Sequence, residues 1–181
     1  MRILGGEAKG RPLEAPKGEQ TRPTSALVRE SVFAIYAAHM TDASFLELFC
    51  GSGAMAMEAL SRGAKEAVLV DKSAKAIVAA KINAGNIGYE NRCEIYRNDW
   101  RKAADILRKK GRLFDFVYVD PPYASDCYEA VLRAMDGLLT PGGIVVCEHG
   151  DREMPIIDGL VKGETRRYGN RRITAYGREE A

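Results

Sequence analysis

The chain is 181 residues long, with 27 Lys and Arg against 25 Asp and Glu, 46% hydrophobic residues and 29% charged ones. That balance excludes a disordered chain, and the length fits one domain, or one domain with a small appendage, around a sizeable core. A formal net charge of +2 does not announce a nucleic-acid partner, so whatever charge does here it must do by placement.

No apolar run approaches the ~20 residues that a membrane span needs, and Met1-Arg2-Ile3-Leu4-Gly5-Gly6-Glu7 lacks a signal-peptide core; both point to the cytoplasm. Cys50, Cys93, Cys127 and Cys147 are scattered, with no Cys-x-x-Cys pair and no neighbouring His cluster. Neither zinc nor a disulfide framework is expected, and the thiols read as small apolar residues.

Residues 1–24 are rich in Gly, Pro, Arg and Lys without sustained periodicity, which reads as a loop or loose hairpin. Pro23-Thr24-Ser25 opens a helix, and Val28, Val32, Ile35 and Tyr36 recur at helical spacing as far as about Met40. From residue 44 the pattern becomes alternating strand and helix. Strands are expected over 44–49, 66–71, 92–96, 114–119 and 144–148, with helices to about Arg62, over 73–86, over 100–109 and from about 126 to 139. Strands this apolar, separated by helices, predict a parallel sheet covered on both faces. Residues 160–168 and 171–176 flank Gly169-Asn170 and predict a closing antiparallel hairpin. The expected fold is α/β and Rossmann-like: a mostly parallel seven-stranded sheet, helices on both faces, and a C-terminal antiparallel hairpin.

In such a sheet, ligands bind beyond the carboxyl ends of the strands, near the point where strand order reverses. Cys50-Gly51-Ser52-Gly53 follows the first strand, Asp71 the second, Asn98-Asp99-Trp100 the third and Asp120-Pro121-Pro122-Tyr123 the fourth. Gly51-x-Gly53-x-x-Ala56 with Asp71 also matches the dinucleotide fingerprint. Glu47, however, puts a carboxylate inside the strand before the turn, ill-suited to a pyrophosphate and favourable to a cation. S-adenosylmethionine (SAM), with a sulfonium and an ammonium and no phosphate, fits better. Asp71 could accept from its ribose hydroxyls and Asp99 from its adenine amine. The candidate cofactor set is Glu47, Phe49, Cys50, Gly51, Ser52, Gly53, Asp71, Lys72, Asn98, Asp99 and Trp100, with no metal.

Asp120-Pro121-Pro122-Tyr123 is the sharpest feature. Two prolines stiffen the loop and remove two backbone donors. A carboxylate and a carbonyl can then accept both hydrogens of an exocyclic NH₂ and aim its lone pair at a methyl donor. Tyr123 offers a face on which a flipped base can stack. The catalytic set is therefore Asp120, Pro121, Pro122 and Tyr123. The chemistry is in-line displacement at a sulfonium methyl, releasing S-adenosylhomocysteine.

Gly51-Ser52-Gly53 with Asp120-Pro121-Pro122-Tyr123 resembles the class I SAM-dependent amino-methyltransferases. Within them the whole chain resembles the bacterial small-subunit ribosomal-RNA guanine-N2 methyltransferases of the RsmD type. The carrying segments are Arg2-Ile3-Leu4-Gly5-Gly6, Gly10-Arg11-Pro12-Leu13, Arg22-Pro23-Thr24, Val28-Arg29-Glu30-Ser31-Val32-Phe33, the stretch from Leu46 to Gly53, and Glu58-Ala59-Leu60-Ser61-Arg62-Gly63-Ala64. The resemblance implies methylation of one guanine N2 in 16S rRNA, on the 30S particle or its assembly intermediate, by a monomer with no membrane association. The family more often has Asp where Glu47 stands; the longer side chain still delivers a carboxylate. DNA adenine and protein glutamine methyltransferases are rivals. The first has too little chain here for a separate recognition region, and the second resembles Asn-Pro-Pro-Tyr. An NAD-dependent reductase and a non-catalytic RNA-binding module stay open as further alternatives.

The near-neutral total hides basic segments. Residues 97–112 hold seven basic residues against Asp99 and Asp105, and residues 160–178 hold six against Glu164. Expected RNA contacts are Arg2, Lys9, Arg11, Arg22, Arg29, Arg167, Arg171 and Arg172. The chain then divides into a basic N-terminal arm (1–24), set apart from the core, and a methyltransferase domain (25–181).

Overall fold

The computed structural model describes residues 1–18, 25–122 and 124–178; Arg22 and Tyr123, both expected at the site, lie outside them. Seven strands form one sheet in the order β3-β2-β1-β4-β5-β7-β6. The strands are β1 (Ser44–Leu48), β2 (Glu66–Asp71), β3 (Cys93–Arg97), β4 (Phe114–Val119), β5 (Leu139–His149), β6 (Leu160–Tyr168) and β7 (Arg171–Arg178). The first five pair in parallel, and β7 runs antiparallel between β5 and β6, as the alternation and the Gly169-Asn170 turn predict. Strand order reverses between β1 and β4, so the ligand crevice falls at their carboxyl ends.

The helices are α1 (Ala26–Ile35), α2 (Ala54–Ser61), α3 (Ala74–Ile87), α4 (Trp100–Lys109) and α5 (Tyr128–Ala134). Ser25 caps α1 by accepting from Val28 N, and Ser73 caps α3 by accepting from Ala76 N, each satisfying an N–H that the helix leaves unpaired. Three elements differ most from the sequence expectation. Helix α1 ends at Ile35 and a 3₁₀ turn, Ala37–His39, replaces its last turn. Helix α5 is shorter at both ends. Strand β5 begins at Leu139, so Pro141-Gly142-Gly143 lies within it, where the pairing with β4 shifts register between Phe114 and Phe116. Gly143 fits there because a Cβ would stand 2.9 Å from both Phe114 O and Thr140 O.

Period-two alternation sorts the strand residues into two cores. Phe45, Leu69, Phe116 and Val146 face α1, α2 and α3; Leu46, Val68, Val117 and Val145 face α4 and α5. Phe45 stacks on Phe116 at 5.2 Å between ring centres, and Phe33 of α1 covers Phe45 at 6.5 Å.

Residues 1–18 correct one expectation. This segment does not stand apart from the core: Ile3, Ala8 and Leu13 are buried in the same cluster as Phe45 and Phe116. It is held by a buried carboxylate rather than by apolar periodicity. Glu58 of α2 accepts from Leu4 N at 2.9 Å and Gly5 N at 2.8 Å, and pairs with Arg62 and Arg29. Gly6, at φ +77°, passes so near α2 that a Cβ would lie 1.8 Å from Ser61 O. Asn83 of α3 ties the far end down, donating to Glu14 O and Ser52 O and accepting from Glu14 N. Arg29, expected on RNA, is corrected too: it is buried at 2% exposure against Glu58 and donates to Arg2 O.

Candidate active site

Alternation also builds the crevice. Glu47 of β1, Tyr118 of β4 and Glu148 of β5 share the face that α2 covers, and Asp120 follows Tyr118 in the same phase beyond the end of β4. The parallel register sets Leu48 beside both Val70 and Val119, so the Gly turn, Asp71 and Asp120 leave the sheet at one level.

The turn between β1 and α2 is built from left-handed residues: Phe49 at φ +60°, Gly51 at +52° and Gly53 at +75°. Gly53 is obligatory for a second reason, since a Cβ there would stand 2.6 Å from Leu69 Cδ2. The turn's amides already have internal acceptors. Gly51 N donates to Asp71 Oδ2 at 2.9 Å, while Asp71 Oδ1 accepts from Ser73 N at 2.8 Å. Ala56 N, in the first turn of α2, donates to Glu47 Oε2 at 2.9 Å. A phosphate seated on a glycine turn takes amides of this kind at a helix N-terminus. Here Asp71 holds one amide of the turn and Glu47 one amide of α2. Asp71 keeps lone pairs for hydroxyl donors, because each carboxylate oxygen can accept twice.

Glu47 is 4% exposed. Burial pushes its carboxyl up to about 8, against the lowering effect of the Ala56 and Met55 amides and helped by the nearby negative charges of Asp120 and Asp71. The native state thus keeps a proton that the unfolded chain releases above its ordinary 4.5. Stability contributed by Glu47 is present at low pH and declines as pH rises toward 8. Glu47→Gln is expected to abolish that decline. Urea midpoints measured at about pH 5 and about pH 9 should diverge for the parent and converge for the variant.

The remaining expected cofactor residues divide. Asn98 is half-buried and its N–H donates to Asp71 O at 3.0 Å, which brings the ends of β2 and β3 together. Asp99 caps α4 through Arg101 N at 2.9 Å and stays partly open. Ser52 is buried, Lys72 is exposed, and Cys50 is buried with its thiol pushed well up by desolvation, hence inert as a nucleophile. Trp100, the first residue of α4, is buried at 7% exposure in the core cluster that also holds Leu46 and Val70. Pro121 is buried and Pro122 exposed, and the Pro122 carbonyl accepts from Ser125 N at 2.8 Å.

Of the expected RNA contacts, Arg2, Lys9, Arg11 and Arg167 are exposed, and Arg172 is half-buried against Asp151 at 2.9 Å. Arg171 is a further correction. It is buried at 7% exposure and paired with Glu148, because alternation along β7 turns it inward with Ile173. The signal for this was present in the hairpin's phase, with Arg171 two residues before the buried Ile173. Sequence reading missed Glu148, whose role depends on which strand lies beside β5. Among the described residues, no group of three or more His, Cys, Asp or Glu could hold a metal ion, and no helix is long and apolar enough to cross a membrane.

The strand order, the switch point between β1 and β4, and the left-handed glycine turn that follows β1 define a class I methyltransferase fold. Over residues 1–177 the chain matches the family described as Conserved hypothetical protein 95, and it belongs to that family, the RsmD-type group. YlbH of Bacillus subtilis (strain 168) is 35% identical over 97% of this chain and 98% of its own length. Ribosomal RNA small subunit methyltransferase D of Escherichia coli (strain K12) is 33% identical over 75% of this chain and 67% of its own. Among solved structures, yhhF of Escherichia coli superposes with a TM-score of 0.87 at 28% identity, covering 100% of this chain and 99% of that one. A hypothetical protein of Thermus thermophilus, TTHA0928, superposes at 0.84 and 31% identity, over 97% and 98%.

Proposed function

We propose that the protein transfers the methyl group of SAM to the exocyclic N2 of a guanine in 16S rRNA, within the 30S subunit or its assembly intermediate, acting as a cytoplasmic monomer without a metal. The observation that carries this reading is the pairing, across one crevice, of the glycine turn held by Asp71 with the Asp120-Pro121-Pro122 loop. The small-subunit methyltransferase among the relatives supports ribosomal RNA as substrate.

SAM, when bound, supplies an electrophilic methyl on a sulfonium. The turn at 49–53 gives the ligand close backbone approach, with Asp71 placed for its ribose hydroxyls and Asp99 for its adenine amine. Asp120 and the Pro121 carbonyl accept the two hydrogens of the guanine amine, orient its lone pair, and stabilise the positive charge that develops as it attacks. Tyr123 supplies the stacking face, and the guanine must leave any base pair to reach it. Phosphate contacts come from Arg2, Lys9, Arg11, Arg22, Arg167 and Arg172. The β6–β7 turn suits that role: Arg172 pairs in register with His149, which brings the hairpin tip to the carboxyl edge where Asp120 lies.

Mass spectrometry of rRNA from a strain lacking the protein tests this directly. One small-subunit guanine is expected to lose its N2 methyl, and the purified protein with SAM should restore it to subunits from that strain. A methylation pattern identical to the parent's would remove the assignment.

A further inference from the structure

One buried arginine is unexplained by RNA contact or by the fold. Arg171 lies at the first residue of β7, directly after the Gly169-Asn170 turn, with a side chain 9% exposed. Its Nη1 pairs with Oε1 of Glu148, which is 1% exposed, and lies 3.9 Å from Oδ2 of Asp120, which is 27% exposed. The second Glu148 oxygen accepts from the Tyr118 hydroxyl at 2.5 Å, and the Glu148 carbonyl accepts from the Tyr128 hydroxyl at 2.8 Å. One guanidinium therefore bridges an inner carboxylate, locked by a tyrosine, and the outer carboxylate of the Asp-Pro-Pro loop.

Stability does not account for this arrangement. Two charges taken out of water cost several kcal/mol, and an apolar pair of similar volume would often serve the core as well. What the pair does provide is a fixed cation at the base of the reaction crevice. Glu47 of β1 and Tyr128 of α5 also lie within reach of the charge on Asp120. Arg29 of α1 faces Glu47 and Tyr118 from the other side of the network. Without the cation, Asp120 loses the charge that favours its ionised form and fixes its direction, and a protonated carboxyl accepts an amine hydrogen poorly.

We infer that Arg171 is a positioning residue for methyl transfer: anchored by Glu148 and Tyr118, it holds the Asp120 carboxylate ionised and aimed into the crevice. This rests on the amine-methylation reading above, and it gives the C-terminal hairpin a part in the reaction besides closing the sheet.

Arg171→Met alone strands Glu148 in the interior, so the diagnostic variant is Arg171→Met with Glu148→Gln, which removes both charges together. Its urea midpoint is expected to stay near that of the parent. In ¹³C NMR, the Asp120 carboxyl, assigned by its loss in Asp120→Asn, should titrate about one pH unit higher in the paired variant than in Glu148→Gln alone, a comparison that isolates the cation. Methyl transfer to small subunits should fall up to about tenfold on the acid limb of its pH profile as that limb moves up by about one unit, and Arg171→Lys should return the limb toward its original place. An Asp120 titration unmoved in the paired variant overturns the inference whatever the transfer rate. A moved titration in a protein that methylates neither subunits nor rRNA upholds the Arg171–Asp120 coupling and overturns the substrate reading instead.

Discussion

Asp120→Ala is expected to lower methyl transfer by at least about 10²-fold while SAM affinity stays within a few fold. The carboxylate stands beyond the end of β4, across the switch point from the glycine turn, and the proposed reaction assigns it to the acceptor amine rather than to the cofactor. Its contribution grows as the attacking nitrogen gains positive charge, and an interaction strengthened in the transition state appears in kcat rather than in ground-state binding. Removing it leaves the backbone of the turn, Asp71 and Asp99 in place. Single-turnover transfer with small subunits, alongside calorimetric titration with SAM, separates the two effects. Transfer near the parent rate would sink the role assigned to Asp120, and equal losses in both measurements would make it a cofactor residue.

The second large effect lies far from the chemistry. Glu58→Ala is expected to cost about 3–5 kcal/mol, a sizeable part of the stability of a domain this size. Glu58 is fully buried, accepts from Leu4 and Gly5, and neutralises Arg29, itself 2% exposed. Truncation orphans two backbone donors and leaves a buried guanidinium with one partner fewer. Residues 1–18 should then detach, carrying Arg2, Lys9 and Arg11 away from the face they occupy. Urea unfolding would show the loss, and limited proteolysis would show new cleavage before α1. Affinity for rRNA should fall, and its salt dependence should flatten as those phosphate contacts go. A loss below about 1 kcal/mol with an unchanged cleavage pattern would remove Glu58 as the anchor.

These two predictions differ in how they could have been reached. Asp120 is legible in the chain because two prolines after a hydrophobic strand have local consequences: stiff backbone and missing donors. The same holds for Gly51-Ser52-Gly53, for the five parallel strands and for the hairpin around Gly169-Asn170. In each case neighbouring residues set the conformation, through strand alternation, helix caps or positive φ. Glu58 is legible only as a polar residue on an apolar helix. Its partners Leu4 and Gly5 lie more than fifty positions away, and the segment they belong to has too little periodicity to announce its burial.

The basic residues make the same division sharper. The net charge of +2 and the clusters at either end of the chain allowed Arg29 and Arg171 to be grouped with the surface arginines. Composition counts charges without saying which face of an element each occupies. The packing of α1 against α2 turned Arg29 onto Glu58, and the pairing of β7 with β5 turned Arg171 onto Glu148 and toward Asp120. The chain alone was enough for the fold class, the glycine turn and the Asp-Pro-Pro loop, because these rest on short-range sterics and periodicity. Which charges reach solvent, and which are drawn inward beside Asp120 and Glu58, was settled by long-range packing, where the cost of burying one ion is met only by the ion placed opposite it.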